Sequence, residues 1–219
     1  MNISQLLERK LVMITGKGGT GKTTMSMALG TLAAEQGRRV VLVEVDANRS
    51  AFARIHGVNP GFEPTPIVEG VWAVNVRWHD ALEEWLTATL KRNRIVKLVL
   101  GNRFVQLFLD ATPGARELVV LSKVLTLSEE WDLVVVDLPA SGHAMSLLRV
   151  PEVARSLMSS GPIRQRAEKI LAMLRDRDTV LVLVALPEEM VVNETVELWT
   201  RIRSEVPEVI APVVILNRA

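Results

Sequence analysis

The chain has 219 residues, of which 48% are hydrophobic and 23% charged, and its formal net charge is +1. These values predict one folded α/β domain over residues 1–219 and argue against a disordered chain and against nucleic acid as a partner. The absence of cysteine excludes disulfides, thiolate zinc sites and a cysteine nucleophile. The chain shows no signal-peptide pattern, and its longest apolar run (180–186) is too short to span a membrane, so we expect a cytoplasmic protein.

A phosphate-binding loop is predicted after a short apolar strand at 11–15. The segment GKGGTGKTT contains the pattern G-x-x-x-x-G-K-[ST]. Its glycines let the backbone approach a phosphate closely, and the N-terminus of the following helix attracts the anion. We expect Lys22 to neutralise the β- and γ-phosphates and Thr23 to ligate Mg²⁺. The predicted nucleotide-binding residues here are Gly16, Lys17, Gly18, Gly19, Thr20, Gly21, Lys22, Thr23 and Thr24.

The same glycines also fit the weaker dinucleotide-binding pattern G-x-G-x-x-G. Glu44 or Asp46 then follows where a ribose partner would lie. The pair Lys22 and Thr23 favours the phosphate-binding loop, because a dinucleotide-binding turn has no use for a buried ammonium group and a metal-binding hydroxyl. A turn without a ligand is disfavoured, since four glycines and two lysines are a costly way to join a strand to a helix.

Apolar periodicity predicts the next elements. A helix follows the loop and ends at Gly37, a buried strand runs over 40–45 and delivers Asp46 at its carboxyl end, and 57–70 is predicted as a loop before a strand at 71–76. A helix N-cap is the alternative role for Asp46. The apolar face of the first helix is predicted to comprise Met25, Ala28, Leu29, Leu32 and Ala33.

A helical insertion is predicted at about 78–130. It contains a rich apolar stretch at 95–109 with five basic residues between 91 and 103, a break at 112–114, and a second helix over 115–127. A basic amphipathic helix suits a membrane surface or a partner groove. A helical subdomain packed beside the sheet is the favoured interpretation.

The strand LVVVD at 133–137 is typical of a Walker B strand, whose aspartate, here Asp137, holds waters around Mg²⁺. The following DLPASGH is predicted to be irregular at Pro139, Ser141 and Gly142, and such a segment can sense a γ-phosphate. His143 alone is a weak signal.

Short helices are predicted over 151–178, with an apolar, Met-bearing face that suits either the core, which is favoured, or a client protein. A buried strand is predicted at 180–186, and Pro187 is predicted to open the next helix. A last strand runs over 213–216. The buried face of the helix after Pro187 is predicted to comprise Val192, Val196, Trp199 and Ile202.

Together these motifs resemble those of the arsenite-pump (ArsA) and tail-anchored-protein-targeting ATPase family. Lys17 beside Lys22 matches the deviant Walker A signature K-G-G-x-G-K-[ST] of the signal-recognition, MinD and BioD class. PGARE at 113–117 and DLPASGHAMSLLRVP at 137–151 are similar to the family's P-G-x-x-E and D-T-x-P-T-G-H-x-x-R-x-L elements. VVILN, which ends at Asn217, resembles its adenine-contacting strand end.

The resemblance implies a P-loop fold with a mostly parallel central sheet flanked by helices, and Mg²⁺ and ATP or ADP as ligands. It also implies roles for single residues. Lys17 would reach across a dimer to the partner's phosphates, Asp46 would orient or deprotonate the attacking water, and Asn217 would contact adenine. A lysine supplied in trans would stabilise charge in the way an arginine finger does. The implied second switch consists of Pro139, Gly142 and His143.

The chain departs from the family pattern in several places. Ala47-Asn48-Arg49 replaces the usual Pro-Ala-His after Asp46, and the proline of the second switch is displaced by one position. No CxxC exists, so a dimer-bridging zinc is not expected. The chain stops soon after Asn217, so we expect an adenine pocket that is incomplete or completed by another chain.

Three functions are therefore considered. The first is an ATPase, as a homodimer or a heterodimer with a related subunit, that drives a membrane protein or client. The second is a nucleotide-binding regulatory subunit with weak hydrolysis. The third is a partitioning or positioning ATPase, which requires DNA binding or a membrane-binding tail, and neither is evident.

Overall fold

The computed structural model describes residues 2–47, 49–90, 112, 114–209 and 212–218. This part of the chain contains a seven-stranded sheet in the order β3-β4-β2-β5-β1-β6-β7. All neighbouring strands are parallel except β3 and β4, which are antiparallel. The predicted α/β fold with a mostly parallel central sheet is confirmed. The strands are β1 (Leu11–Thr15), β2 (Val40–Val45), β3 (Thr65–Val68), β4 (Val71–Val76), β5 (Leu133–Asp137), β6 (Thr179–Ala185) and β7 (Val213–Leu216).

Helices cover both faces of the sheet. One core cluster joins α1, α2 and α3 to one face, and a second joins α4 to α8 to the other. Because both faces are buried, the central strands are apolar nearly throughout. The described helices are α1 (Ile3–Leu7), α2 (Lys22–Glu35), α3 (Ala51–His56), α4 (Trp78–Leu90), α5 (Ala115–Glu130), α6 (Ser141–Leu157), α7 (Pro162–Arg175) and α8 (Glu189–Glu205).

The buried face of α2 differs from the predicted one. Leu29 and Ala33 are buried as expected, but Ala28 and Leu32 are exposed, and Ser26 and Gly30 take their place. A Cβ at position 30 would lie 2.7 Å from Leu42 Cδ2, so the helix approaches the sheet at its small residues. A pattern that counts only large apolar side chains misses such a face.

α8 also differs from its prediction. It begins at Glu189, two residues after Pro187, which was expected to open it. Val192 and Val196 are exposed, although they were assigned to the core, while Ile202 is buried as predicted. The sequence has apolar residues on two sides of this helix, and packing selects one. The buried residues are Val191, Thr195, Leu198 and Ile202.

Prolines account for two further differences. The predicted loop at 57–70 contains β3, in which Pro66 is tolerated because β3 is an edge strand. Pro151, expected at the start of a short helix, is instead buried inside α6. A proline lacks the N–H that would bond the carbonyl four residues earlier, and for this reason a helix start was expected there. α6 nevertheless accommodates Pro151 in its interior, so this proline does not mark a helix start.

The predicted helix over 95–109, its basic residues and Pro113 lie outside the described residues. The two helices that flank this range, α4 and α5, pack against each other. The nearly buried Lys123 on α5 forms an ion pair of 2.6 Å with Glu84 on α4 and lies 4.3 Å from the ring centroid of Phe62. In the described ranges, no helix is both long enough and apolar enough to cross a membrane.

Candidate nucleotide-binding site

The predicted phosphate-binding loop joins the end of β1 to the start of α2. Gly16 is buried at φ +142°, and a Cβ there would lie 2.4 Å from the carbonyl oxygen of Val184 on β6. Gly21 precedes α2 at φ +92°. Such backbone angles, together with so close an approach, require glycine. Gly18 and Gly19 are exposed, and a Cβ at either would meet nothing within 4 Å.

The two lysines of the loop have different partners. Lys22 Nζ donates to the carbonyl oxygen of Lys17 at 3.0 Å, across the loop. Burial lowers the pKa of Lys22, and the charge of Asp137 opposes this shift. Lys17 Nζ forms an ion pair of 2.6 Å with Glu194 on α8. Lys22 is therefore held across the loop in which we expect a phosphate, whereas Lys17 is bound to α8 of its own chain.

Thr23 and Asp137 meet at the end of β5. Thr23 Oγ1 donates to Asp137 Oδ2, while Asp137 Oδ1 is buried and has no hydrogen-bond partner among the described residues. Burial raises the pKa of Asp137, and the Thr23 hydrogen bond and the charge of Lys22 oppose this shift. A hydroxyl beside a carboxylate with an unpartnered oxygen is the hard oxygen donor set that Mg²⁺ prefers. These residues fit the predicted cation.

A row of polar side chains crosses three neighbouring strands beside this contact. Glu44 on β2 is in register with Asp137 on β5 and with Asn75 on β4, so the three lie on one face of the sheet. Asn75 Nδ2 donates to the carbonyl oxygen of Ala47 at 2.7 Å, and the Ala47 N–H donates to Asn75 Oδ1 at 3.0 Å. Glu44 Oε1 accepts the N–H of Ala51 at 2.6 Å. We call Asn75, Glu44 and Asp137 the polar row.

The sequence predictions did not include Glu44 as a residue of the phosphate site, nor Asn75 at all. The available signal was a polar side chain inside each of two otherwise apolar strands, VVLVEV and VWAVNV. Polar groups in a buried strand need partners, and their burial therefore points to a specific role. In this case, both side chains bind the backbone that follows β2.

Asp46 begins the segment that the polar row holds. Its side chain is exposed, its φ is +48°, and its N–H donates to the carbonyl oxygen of Val76 at 3.0 Å. Aspartate is among the few non-glycine residues that adopt this left-handed conformation. The structure thus brings Asp46 to the carboxyl edge of the sheet, directly after the strand next to that of Asp137.

The predicted second switch follows Asp137. Thr15 Oγ1 donates to the carbonyl oxygen of Pro139 at 3.0 Å, which ties this segment to the end of β1. Irregular structure was expected through Gly142, but α6 begins at Ser141. Gly142 and His143 therefore lie in the first helical turn, where both are exposed.

Asn217 contacts the phosphate-binding loop from the end of β7. Its Nδ2 donates to the carbonyl oxygen of Thr20 at 2.9 Å, and a Cβ at Gly21 would lie 2.5 Å from that nitrogen. The Asn217 N–H donates to the carbonyl oxygen of Ala185 at 2.8 Å. The contact of Asn217 with adenine stays a prediction.

Thr24, which was also predicted to bind nucleotide, is exposed on the first turn of α2.

Comparison with known proteins identifies the family. Residues 9–175 match the model of a family described as anion-transporting ATPase. The chain is 29% identical over 208 residues to ATPase BagA of Mycobacterium tuberculosis, which covers 89% of this chain and 61% of that protein. It is 28% identical over 163 residues to the arsenical pump-driving ATPase of Escherichia coli, covering 69% and 27% of the two chains. It is 25% identical over 159 residues to ATPase ASNA1 homolog 1 of Paramecium tetraurelia, covering 69% and 46%.

The chain thus spans 61% of the length of the mycobacterial relative and smaller shares of the other two. The matched range contains the phosphate-binding loop, the polar row and the segment after Asp137. Glu194 and Asn217, which contact the loop from α8 and from the end of β7, lie beyond it. By its matched sequence, its fold and the geometry of its site, the chain belongs to the anion-transporting ATPase (ArsA) family.

Proposed function

We propose that this chain binds and hydrolyses Mg-ATP, and that nucleotide-driven closure of a dimer acts on a partner protein. The observation that carries the proposal is the hydrogen bond from Thr23 to Asp137. It joins the hydroxyl of the phosphate-binding loop to the carboxylate of the neighbouring strand, as a site for a phosphate-bound cation requires. Family membership supports the same chemistry, since the relatives compared above are named as ATPases.

Each residue of the site has a role in this proposal. Lys22 and the N-terminus of α2 neutralise charge on the β- and γ-phosphates. Thr23 would hold Mg²⁺ directly and Asp137 would hold it through water, and the cation would neutralise charge that develops on the phosphate oxygens. Asp46, exposed beside this site, orients or deprotonates the attacking water.

Lys17 is the residue for which the proposal requires a dimer. Its ammonium group would stabilise charge on the phosphates bound by the partner subunit, so that hydrolysis depends on closure. For this, Lys17 must leave Glu194, to which it is bound within its own chain. Because both side chains are partly exposed, the ion pair is weak enough to open. The dimer is either a homodimer or a heterodimer with a related ATPase.

The partner is proposed to be a membrane transporter or a client protein. The Escherichia coli relative is named as driving an arsenical pump, which supports a transport partner. A cytoplasmic location, with membrane association through that partner, follows from this proposal.

ATP turnover by the purified protein tests the proposal. We expect Lys22→Ala to abolish ATP binding in calorimetry, and Asp46→Asn to keep binding but to lower phosphate release by about 100-fold. Lys169→Ala, which removes an exposed lysine from α7, is the charge-matched control and should match the wild type. Equal phosphate release by wild type, Lys22→Ala and Asp46→Asn would rule out the enzyme.

The regulatory-subunit alternative is supported by one local feature. The residues that follow Asp46 are Ala47-Asn48-Arg49, in place of the Pro-Ala-His that is usual in the family. Under this alternative, the wild type binds Mg-ATP with an affinity that Lys22→Ala abolishes, yet its phosphate release equals that of Asp46→Asn. The same two measurements therefore distinguish the alternatives.

A further inference from the structure

Glu44 is a buried carboxylate whose hydrogen bonding is incomplete. Its side chain is 4% exposed, and Oε1 accepts the N–H of Ala51. Oε2 is buried, and among the described residues it has no hydrogen-bond partner and Glu44 forms no ion pair with a basic side chain. A buried charge without a partner is costly, so a group that is absent from the isolated chain is expected to satisfy this oxygen.

A second unpartnered oxygen lies in the same row. Glu44 is in register with Asp137, whose Oδ1 is also buried and without a partner among the described residues. Adjacent strands are about 4.8 Å apart, so the two carboxylates are neighbours on the face that carries Thr23. In addition to burial, the charge of Glu44 raises the pKa of Asp137, which supports their proximity. Two carboxylates on neighbouring strands form an oxygen donor set that suits a cation between or beside them.

The other oxygen of Glu44 reaches the segment that contains Asp46. Ala51 is the first residue of α3, and Ser50, its N-cap, closes the segment that begins at Asp46. Asn75 holds the same segment at Ala47. Glu44 and Asn75 thus both hold this segment, but only Glu44 lies on the strand next to that of Asp137.

We propose that Glu44 is a positioning residue that links the cation site to the segment carrying Asp46. Its Oε2 joins Asp137 in holding the water shell of the cation bound at Thr23, while its Oε1 fixes the start of α3. Binding of the cation therefore fixes Ser50 and Ala51 at the start of α3, and loss of the cation releases them. This inference rests on the proposed Mg-nucleotide site and assigns it a residue that neither the P-loop motif nor the Walker B strand contains.

The test compares three variants of the full chain with the wild type, using ADP as the ligand so that no turnover is needed. Calorimetry measures ADP affinity in EDTA and over a range of Mg²⁺ concentrations, and limited trypsin digestion measures cleavage after Arg49 with and without Mg²⁺. Glu44→Gln keeps the size and an acceptor for Ala51 but removes the charge. Asn75→Ala is the matched control in the same row, because it frees Ala47 without touching the acidic pair.

For Glu44→Gln we expect unchanged ADP affinity in EDTA and a roughly tenfold higher Mg²⁺ requirement, the loss typical of an outer-shell metal partner. Mg²⁺ should slow cleavage after Arg49 in the wild type but not in this variant. Asn75→Ala should be cleaved faster overall and still be protected by Mg²⁺. A merely structural Glu44 would predict the opposite pattern, with the wild-type Mg²⁺ requirement in Glu44→Gln, and that result would overturn the proposal.

Glu44→Asp provides a second test, which remains informative if Glu44→Gln fails to fold. It keeps the charge but is one methylene shorter, so it cannot reach both Ala51 and the cation shell. We expect a Mg²⁺ requirement within about threefold of the wild type and no Mg²⁺ protection of Arg49. Full protection in Glu44→Asp would contradict the link. If the wild type itself bound no ADP, the proposed function would fail first, which is a different result from normal binding with unaltered Mg²⁺ dependence in the variants.

Discussion

The burial of Asp137 affects the stability of the folded protein, and this effect can be measured without any nucleotide. Its pKa is raised, chiefly by burial, so the folded protein binds its proton more tightly than the unfolded chain does. The stability that this proton contributes is present at acid pH and is lost as the pH rises through the raised pKa. At neutral pH the ionised carboxylate therefore destabilises the nucleotide-free protein.

We predict that Asp137→Asn raises the melting temperature of the nucleotide-free protein by a few degrees at neutral pH. The gain should shrink as the pH is lowered through the raised pKa of Asp137, because the wild-type carboxyl is then neutral too. Thermal unfolding followed by circular dichroism over a pH series measures this. Asp132→Asn is the contrasting control, because backbone hydrogen bonding by Arg39 lowers the pKa of Asp132 and its replacement should not stabilise. A gain that is equal at all pH values would contradict the assignment to ionisation.

Gly16 is the second residue for which we make a prediction, because a single added Cβ atom would clash with β6. Gly16→Ala places a Cβ 2.4 Å from the Val184 carbonyl oxygen at φ +142°, so either the loop or β6 must move. We expect a loss of about 1–3 kcal/mol in the free energy of unfolding and weaker ADP binding. Urea unfolding and calorimetry measure the two effects.

Gly18→Ala is the matched control for the stability effect. A Cβ at Gly18 meets nothing within 4 Å, and Gly18 has no positive φ. Its free energy of unfolding should stay within about 0.5 kcal/mol of the wild type. If the two alanine variants were equally stable, close packing against β6 would not be the reason for the glycine at position 16.

Contact between elements governs the availability of Lys17. The loop after β1 and helix α8 are joined by the Lys17–Glu194 ion pair, which must open before Lys17 can act on a partner subunit. We predict that Glu194→Gln increases ATP-dependent dimer formation by up to about fivefold, since a partly exposed pair is worth at most about 1 kcal/mol. Sedimentation velocity of the Asp46→Asn background, with Mg-ATP present, measures the dimer fraction without turnover.

Glu205→Gln is the control for the element-level prediction. Glu205 is at the end of the same helix and pairs with Arg149 and Arg201, away from the phosphate-binding loop. It should leave the dimer fraction unchanged. A Glu194→Gln variant that dimerised less than the wild type would show that Glu194 supports the dimer instead of restraining Lys17.

Helix packing shows where element-level prediction fails. Most element types and approximate bounds were predicted, because apolar runs and glycines mark them. The predicted buried faces of α2 and α8 were wrong in part, at Ala28, Leu32, Val192 and Val196. In α2, Ser26 and Gly30 are buried, and at Gly30 the close approach of Leu42 leaves no room for a larger residue. In α8, Val191 is buried and Val192 exposed, although the two are chemically identical.

At the scale of the whole molecule, the predicted phosphate-binding loop contacts distant parts of the chain. The phosphate-binding loop contacts α8 through Glu194, β7 through Asn217 and β5 through Asp137. A ligand bound there is expected to stabilise the whole domain. At a hundredfold excess over its dissociation constant, Mg-ADP should add about 2.7 kcal/mol and raise the melting temperature by about 5–10 °C.

Differential scanning fluorimetry with ADP, with and without Mg²⁺, tests this stabilisation. Asp137→Asn should retain the shift that ADP alone produces and lose most of the part that needs Mg²⁺. A full Mg²⁺-dependent shift in that variant would show that Asp137 is not a residue of the cation site. A wild type that is unaffected by ADP at any Mg²⁺ concentration would contradict nucleotide binding.

The sequence by itself determined the fold class and predicted the phosphate-binding loop and Asp137, because each depends on local chemistry. Glycines at fixed spacing followed by lysine and threonine suit a phosphate, and an aspartate after four apolar residues ends a buried strand. Only the tertiary structure decided which residues meet. Glu44 and Asn75 join Asp137 through strand register, and Lys17 meets Glu194 across 177 positions of the chain. Such contacts arise from the order of strands and the packing of helices, which no local pattern encodes.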